Sequence, residues 1–445
     1  IRVITFNVNG QGPPSSGIEA LFNIDDATLD YADVIVIGFQ EISFHIKNLL
    51  ADTTYRSEPW SNVIRKYLAD KNFVHLSCGW ASKPRSLGLS LLVFVKRPLV
   101  LSFRRVETNF VRTGLAGVSG HKGAVCVRLT YRDGTFLTFI NCHLSADIAN
   151  LSSRIKDYIT ISSGLKLNST DSSSLGLYKK SKNFRYTFWF GDLNFRIEYL
   201  SHEETLHFIN RNSVKKLLDY DQLNRCRVSG RAFSEFHEFE VKFLPTYKLS
   251  IGKDSIYDKR RVPSYCDRIL YKLEHSCNEF DDLSSKCEPL FYDSIKSLNC
   301  SDHLPVVAAF NVKVFSYIPL AEVEFMTDLN SMAWYTNQNN LCKYKIRNCY
   351  NMSPLDWIGI FDLSFNCDES PVTWIYTLSC WEEENNDESD FIIVQNILFK
   401  RWFIPKEGSY IFGYYSRERS CLIGLSDPFE IYSPSVALGK EATPD

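Results

Sequence analysis

The chain has no surplus of either charge: 50 Lys and Arg face 52 Asp and Glu, for a formal net charge of -2 over 445 residues. That balance excludes a globally basic nucleic-acid binder and leaves room only for a local cationic patch. Long apolar runs are missing too. Leu91 to Val95 is typical and falls far short of the roughly 20 residues a membrane-spanning helix needs, so none is expected. The 13 Cys are scattered without a C-x-x-C pair, which excludes a zinc ribbon, and their odd number fits no dense disulfide framework. Reduced thiols and a cytoplasmic setting are the expectation. The opening at Ile1 reads as a strand, without the basic and apolar regions expected of a signal peptide, and no internal repeat is present.

Short segments rich in β-branched and aromatic residues are what the chain does have, and each ends in polar residues. Ile1 to Val8, Asp33 to Phe39, Leu89 to Val95, Ala124 to Tyr131, Thr135 to Cys142, Tyr186 to Phe190 and Val306 to Val314 read as strands. Ser57 to Asp70 and Glu203 to Leu218 carry apolar residues at helical spacing, and the alternation predicts layered α/β. Residues 166 to 182 are Ser-rich and read as a surface loop. Beyond Val314 only short β-like runs occur: Leu341 to Arg347, Asp356 to Phe361, Val372 to Ser379, Ile392 to Leu398, Ser409 to Tyr415 and Leu422 to Leu425. An all-β sandwich follows from that pattern, with the boundary around Tyr317-Ile318-Pro319 and the acidic run Glu382 to Asp390 as a solvated hairpin tip.

The strand ends carry Asn7, Glu41, His143, Asp192, Asn194, Asp267, Asp302 and His303. A lone buried Asp or His is usually a satisfied structural group. Eight such residues at successive strand ends form a metal-assisted hydrolysis set, because carboxylates and amides are hard oxygen ligands suited to Mg²⁺ and the imidazoles serve proton transfer and phosphoryl contact. Between Lys242 and Lys272, eight basic residues stand against three acidic ones, a local excess in a near-neutral chain that suits phosphate recognition.

Two segments make the chain recognisable. Phe188 to Ile197 (FWFGDLNFRI) and Arg261 to Leu270 (RVPSYCDRIL) resemble the signature motifs of the inositol polyphosphate 5-phosphatases, within the endonuclease/exonuclease/phosphatase superfamily. Thr5 to Gly10, Gly38 to Glu41, Asn141 to Leu144 and Ser301 to His303 resemble the remaining blocks in order, and Pro354 to Phe361 resembles the opening of a SKICH domain. That pairing, without a long Pro-rich arm, resembles the skeletal-muscle-and-kidney-enriched branch of the family.

The resemblance implies a four-layer α/β sandwich over residues 1–316, an immunoglobulin-like SKICH sandwich over 320–434 and a flexible tail over 435–445. It implies Mg²⁺ on Glu41 with help from Asn7, and Asp192 as the base for the attacking water, oriented by Asn194. His303, paired with Asp302, and His143 would contact the 5-phosphate, with Asp267 fixing the network. Tyr247, Lys248, Lys259 and Arg261 would hold the 4-phosphate, with Lys122 and Arg268 as further substrate contacts. Leu87, Leu89, Leu115 and Val118 lie where the family grips acyl chains. The chain departs from the family at Phe6, His121 and Leu304, where Trp, Asn and Lys are usual, and Gly114 to Ser119 lacks the usual aromatic or basic residues.

The implied substrates are phosphoinositide head groups on a membrane surface, with no nucleic acid. SKICH would supply membrane or partner targeting to the endoplasmic reticulum or plasma membrane. Rival readings are a nuclease on the same scaffold, a cysteine-dependent phosphatase using Cys126 to Arg132 (CVRLTYR), and a catalytically dead scaffold.

Overall fold

The structure is a computed structural model. It describes residues 1–22, 32–42, 59–80, 88–113, 122–132, 135–165, 184–252, 256–275, 287–314, 323–326, 334–347, 350, 352–363, 371–382 and 392–433. The Ser-rich segment, the domain junction, most of the acidic run, the terminal tail, Leu87, the Gly114 to Ser119 loop with Leu115 and Val118, and His121 lie outside the described residues.

Among the described residues, twelve strands build the first domain: β1 Arg2–Asn7, β2 Val34–Gln40, β3 Phe73–Trp80, β4 Ser90–Lys96, β5 Phe103–Arg112, β6 Gly123–Tyr131, β7 Thr135–His143, β8 Phe184–Asp192, β9 His237–Glu238, β10 Asp267–His275, β11 Cys287–Ser294 and β12 Val306–Val312. They form two six-stranded sheets, in the orders β11-β12-β1-β2-β4-β3 and β5-β6-β7-β8-β10-β9.

Side-chain parity explains why these strands read as unbroken apolar runs. Val3, Val36, Val93, Val125, Phe139, Phe188 and Phe190 point between the sheets into one core. Their neighbours Ile4, Ile35, Ile37, Leu92 and Phe94 face the opposite way, toward helix α1 (Pro59–Ala69), which buries Trp60, Ile64 and Leu68. On the other side, Ala124, Cys126, Cys142 and Trp189 are covered by Tyr158 and Ile161 of α2 (Leu151–Gly164). Both faces of each sheet are therefore dry, and the result is four layers, helix, sheet, sheet, helix.

The segment Glu203 to Leu218 is not one helix. It divides into α3 (His202–Asn210), opened by a Ser201/Glu204 capping box, and α4 (Val214–Leu218). Asn212 sits at φ 50 between them, a left-handed conformation that ends a helix and that Asn tolerates. A short fifth helix, α5 (Gln222–Val228), follows.

After the junction come β13 Val323–Phe325, β14 Trp334–Tyr335, β15 Asn340–Arg347, β16 Trp357–Asp362, β17 Thr373–Tyr376, β18 Trp381–Glu382, β19 Ile392–Phe399, β20 Gly408–Ser416, β21 Cys421–Leu425 and β22 Phe429–Tyr432. They make two further sheets, β13-β15-β19-β18 and β14-β22-β20-β16-β17, with β21 on β20. Trp334, Phe399, Phe412 and Phe429 interlock between them, Phe412 stacking on Phe429 at 4.2 Å.

The acid in the Pro354 to Phe361 motif has a structural reason. Buried Asp356 accepts from Tyr350 Oη at 2.6 Å, Tyr414 Oη at 3.1 Å, Ser353 N at 3.0 Å and Arg417 N at 2.8 Å, so it ties the chain before β16 to the end of β20. The two domains touch where Val106 N–H donates to Arg419 O at 3.0 Å and Arg105 faces Glu418 at 3.6 Å. Val106 pairs with Leu129, toward the far end of the sheet from the Arg112 and Gly123 rung.

Candidate active site

That Gly123 rung is where the polar strand ends meet. Register pairs Gly123 with His143, His143 with Asp192, and Asp192 with Asp267, so three adjacent strands place chemistry-bearing side chains on one rung. Parity decides their direction. Asp192 lies two and four residues beyond Phe190 and Phe188, and His143 four beyond Phe139, so both share the face that points between the sheets. Across the gap, β1 ends at Asn7 by the same parity, paired with Gln40, and Glu41 follows at φ 56 with its carbonyl accepting from Gly10 N at 2.8 Å.

A polar layer just below this rung fixes the two sheets against each other. Gln40 Nε2 donates to Asn141 Oδ1 at 2.6 Å, and Asn141 Nδ2 donates to Phe39 O and Ser90 O at 3.0 and 2.8 Å. Gly38 permits that approach, since a Cβ there would stand 2.6 Å from both Asn141 Cγ and Phe190 Cε2. The sequence reading passed over Gln40 and Asn141. Asn141 shares the parity of His143 two residues on, and Gln40 lies beside Asn7 in register, so parity was the available signal.

The side chains converge. Asn7 Nδ2 donates to Glu41 Oε1 at 3.1 Å and Asp192 Oδ2 at 2.9 Å, while its Oδ1 accepts from Asn9 N at 3.0 Å. His143 Nε2 lies 3.2 Å from Asp192 Oδ2 and 3.7 Å from Glu41 Oε1, with Lys122 Nζ against the same nitrogen. One imidazole nitrogen carries either a proton or a lone pair, so Nε2 can donate to the carboxylate or accept from Lys122, not both. Burial first, and Lys122 second, push the His143 pKa down and favour the neutral ring. Burial likewise lowers Lys122.

His303 behaves oppositely. Burial alone would lower its pKa, but Asp267 and Asp192 overcome it and hold the ring up at about 9. Its Nδ1 is 2.9 Å from Asp267 Oδ2, whose carboxylate also accepts from Thr246 Oγ1 at 2.6 Å. Asp302, the neighbour that the sequence paired with His303, adds a smaller electrostatic pull on the ring than Asp267 and Asp192, while its own Oδ2 accepts from Lys248 Nζ at 2.7 Å. Burial would raise the Asp192 carboxyl, yet His143 and His303 hold it well below the usual carboxylate range, so it stays ionised.

Asn194 is fixed rather than free. Its backbone N–H donates to Asp192 Oδ1 at 3.0 Å, its side-chain NH₂ donates to Leu144 O at 3.1 Å, and its Oδ1 accepts from Arg196. Arg196, also overlooked although it stands in the same motif, lies 4.3 Å over the Tyr247 ring, which packs 4.4 Å from the His303 ring. A guanidinium, a phenol and an imidazolium thus pack in series, the last two rings tilted by 39°, joining the Asp192 turn to the Tyr247-Lys248 segment.

Not every expected contact is here. Lys259 is exposed, and Arg261 faces Asp147 at 3.3 Å. Arg268 does not face the site. One residue beyond Asp267, it points to the other side of the sheet, fully buried, bonded to Glu238 at 2.6 and 2.7 Å and to Asp221 at 2.9 Å. Leu89 is core and not an acyl contact. The thiol rival also fails: Cys126 is buried in β6, and burial pushes its thiol up to about 12, so it is no nucleophile at neutral pH.

The donor chemistry fits a divalent cation. Carboxylate and imidazole atoms of Glu41, His143 and Asp192 lie within 4.8 Å of one another, as do those of Asp192, Asp267 and His303. Glu41, whose side chain is 39% exposed, opens the first group to solvent. Hard oxygen donors with one open side suit an ion that keeps part of its water shell.

Two facing sheets with acidic and imidazole side chains at one rim define the endonuclease/exonuclease/phosphatase class. The chain belongs to Endonuclease/Exonuclease/phosphatase family 2, whose model matches residues 4–309, and it carries a SKICH domain over 324–431. It is 31% identical over its whole length to human phosphatidylinositol 4,5-bisphosphate 5-phosphatase A, of which it spans 42%. It is 29% identical to mouse inositol polyphosphate 5-phosphatase K, with 97% of this chain and 89% of that protein covered. Among solved structures it resembles the inositol polyphosphate 5-phosphatase domain of spsynaptojanin, in complex with inositol (1,4)-bisphosphate and calcium. The TM-score is 0.55 at 34% identity, covering 70% of this chain and 84% of that one.

Proposed function

We propose that this protein is a Mg²⁺-dependent phosphatase that removes the 5-phosphate from phosphatidylinositol 4,5-bisphosphate, the 3,4,5-trisphosphate and the corresponding soluble head groups. The observation that carries the reading is the convergence of Asn7, Glu41, His143, Asp192, Asp267 and His303 on one rim, with Tyr247 packed on His303 and Lys248 beside it. Glu41, with Asp192 and His143 beside it, would hold the ion, which supplies positive charge to phosphate oxygens. Asn7 orients both carboxylates.

The remaining chemistry belongs to the chain's own groups. Phosphoryl transfer is accelerated mainly by placing cations around the developing charge and aligning the attacking water. Ionised Asp192 accepts a hydrogen bond from that water, and protonated His303 donates to a phosphate oxygen. Tyr247 and Lys248 give a neighbouring phosphomonoester a second anchor, which a phosphodiester in nucleic acid lacks.

The test is orthophosphate release from a panel of these lipids and inositol 1,4,5-trisphosphate, beside nicking of plasmid DNA. Release confined to 5-phosphorylated substrates and abolished by EDTA supports the reading; nicking without release replaces it by the nuclease one. The SKICH domain is proposed to target the enzyme to the cytoplasmic face of the endoplasmic reticulum or plasma membrane, and deletion beyond residue 320 that left its cellular distribution intact would overturn that.

A further inference from the structure

Three cations of the segment after Pro245 are each held by a carboxylate: Lys248 by Asp302, Arg260 by Asp258 and Arg261 by Asp147. The side chains of Asp302 and Asp258 are sheltered, 9% and 13% exposed. Asp147 is different. It comes from the loop after β7, its carboxylate lies 3.3 Å from Arg261, and the two side chains are 55% and 54% exposed, so a ligand can reach between them.

The loop is shaped to keep Asp147 there. Its backbone, at φ 73 and ψ 146, adopts a conformation natural to glycine and strained for any L side chain. Helix α2 imposes it. Fully buried Arg154, which ion-pairs with no carboxylate among the described residues, donates to the carbonyls of Ser145, Asp147 and Ile148 at 3.1, 2.5 and 3.4 Å and to Gln222 Oε1 at 2.5 Å. Asp157, on the same helix, accepts from Ser145 N and Oγ at 2.8 and 2.6 Å. Such strain persists only where the surroundings over-determine it. The loop also starts on the site, since Leu144 N–H donates to Asp192 O at 3.0 Å and Leu144 O accepts from Asn194 Nδ2 at 3.1 Å. Arg261 is anchored as well: its carbonyl accepts from His202 Nδ1 at 2.8 Å, and three residues on Ser264 exchanges backbone bonds with Tyr247 at 2.7 and 3.3 Å. Because β8 lies between β7 and β10, the pair closes over the turn that carries Asp192 and Asn194.

We propose that Asp147 is a built-in counter-anion that sets substrate preference by occupying Arg261. A head group with a second phosphomonoester beside the scissile one must displace the Asp147 carboxylate from Arg261 and then lie next to its negative charge. A head group with the 5-phosphate as its sole ring monoester on that side meets no such competitor. The proposal rests on the phosphoinositide reading above and adds to it a residue that weakens, rather than makes, a phosphate contact.

The experiment uses the full chain with Asp147→Asn and Asp147→Gly, each also combined with Arg261→Ala. Binding of inositol 1,4,5-trisphosphate and of inositol 1,5-bisphosphate is measured by calorimetry in EDTA, and KM for orthophosphate release is measured with Mg²⁺. The Asn and Gly variants are both expected to bind the trisphosphate about fivefold more tightly, the scale of an exposed ion pair, and to lower its KM alike. Binding of the 1,5-bisphosphate should stay within about twofold of wild type, and the gain should vanish with Arg261→Ala. Damage to the loop could only weaken binding, so a gain separates competition from a structural role. Unchanged or weaker binding by Asp147→Asn overturns the proposal, as does a gain that survives Arg261→Ala. A gain with Gly alone assigns the effect to backbone strain and overturns it too. Wild-type protein that releases no orthophosphate sinks the phosphatase reading, while a gain in binding that depends on Arg261 still supports the counter-anion.

Discussion

Arg268 separates the sequence reading from the structural one, because a phosphate ligand and a buried strut predict opposite results for Arg268→Met. Its guanidinium makes two charge-assisted bonds to Glu238, at 2.6 and 2.7 Å, and one to Asp221 at 2.9 Å. Glu238 retains Arg227 at 3.3 Å when Arg268 is lost, but Asp221 is fully buried and Arg268 is its ion-pair partner among the described residues. Stranding one partner of a buried pair costs about 3–5 kcal/mol. At roughly 2–4 °C per kcal/mol for a domain of this size, the melting temperature should fall on the order of 10 °C. Thermal unfolding measures that loss, and kinetics below the new transition should show KM within about twofold of wild type. Adding Asp221→Asn should recover part of the stability by removing the stranded charge. A KM raised tenfold with the melting temperature intact would refute the reasoning and return Arg268 to the substrate.

Asp192→Asn should lower kcat by about a thousandfold or more while leaving the fold intact by circular dichroism, because it removes the acceptor between His143 and His303. Lys248→Ala should weaken kcat/KM on 4,5-bisphosphorylated substrates by about ten- to a hundredfold and spare substrates lacking the 4-phosphate. His303 has a pKa raised to about 9, above its ordinary value of 6.5. Its contribution to stability is therefore full below about pH 6.5 and is lost as pH rises through 9, so urea midpoints should fall across that window in wild type and not in His303→Asn. Turnover should show a basic limb in the same range. EDTA should abolish turnover and a thiol-alkylating reagent should not, given the burial of Cys126; the reverse outcome would revive the thiol reading.

The strands of both domains were legible because alternating or unbroken β-branched runs bounded by polar ends leave little choice of conformation. The exceptions have physical causes. The break at Asn212 was hidden because local φ preference, not hydrophobic spacing, ends α3. Arg268 was misplaced because a motif read as a string puts Asp267 and Arg268 together, whereas a strand sends adjacent side chains to opposite faces. Arg196, Gln40 and Asn141 were passed over because each acts by holding another group, Asn194, Asn141 and the Phe39 and Ser90 carbonyls respectively, and an isolated amide or guanidinium gives no sign of what it holds.

By itself the sequence determined the kinds of group available: hard oxygen donors and imidazoles at strand ends, and cations after Pro245. Residue type and strand period are local properties and need no partner to be read. Tertiary structure alone decided which of those groups share a space. Sheet register put His143, Asp192 and Asp267 on one rung, the facing sheet brought Asn7 and Glu41 to them, and pleat direction sent Arg268 away. Distances across two packed sheets depend on every side chain between them, and no short stretch of chain encodes that sum.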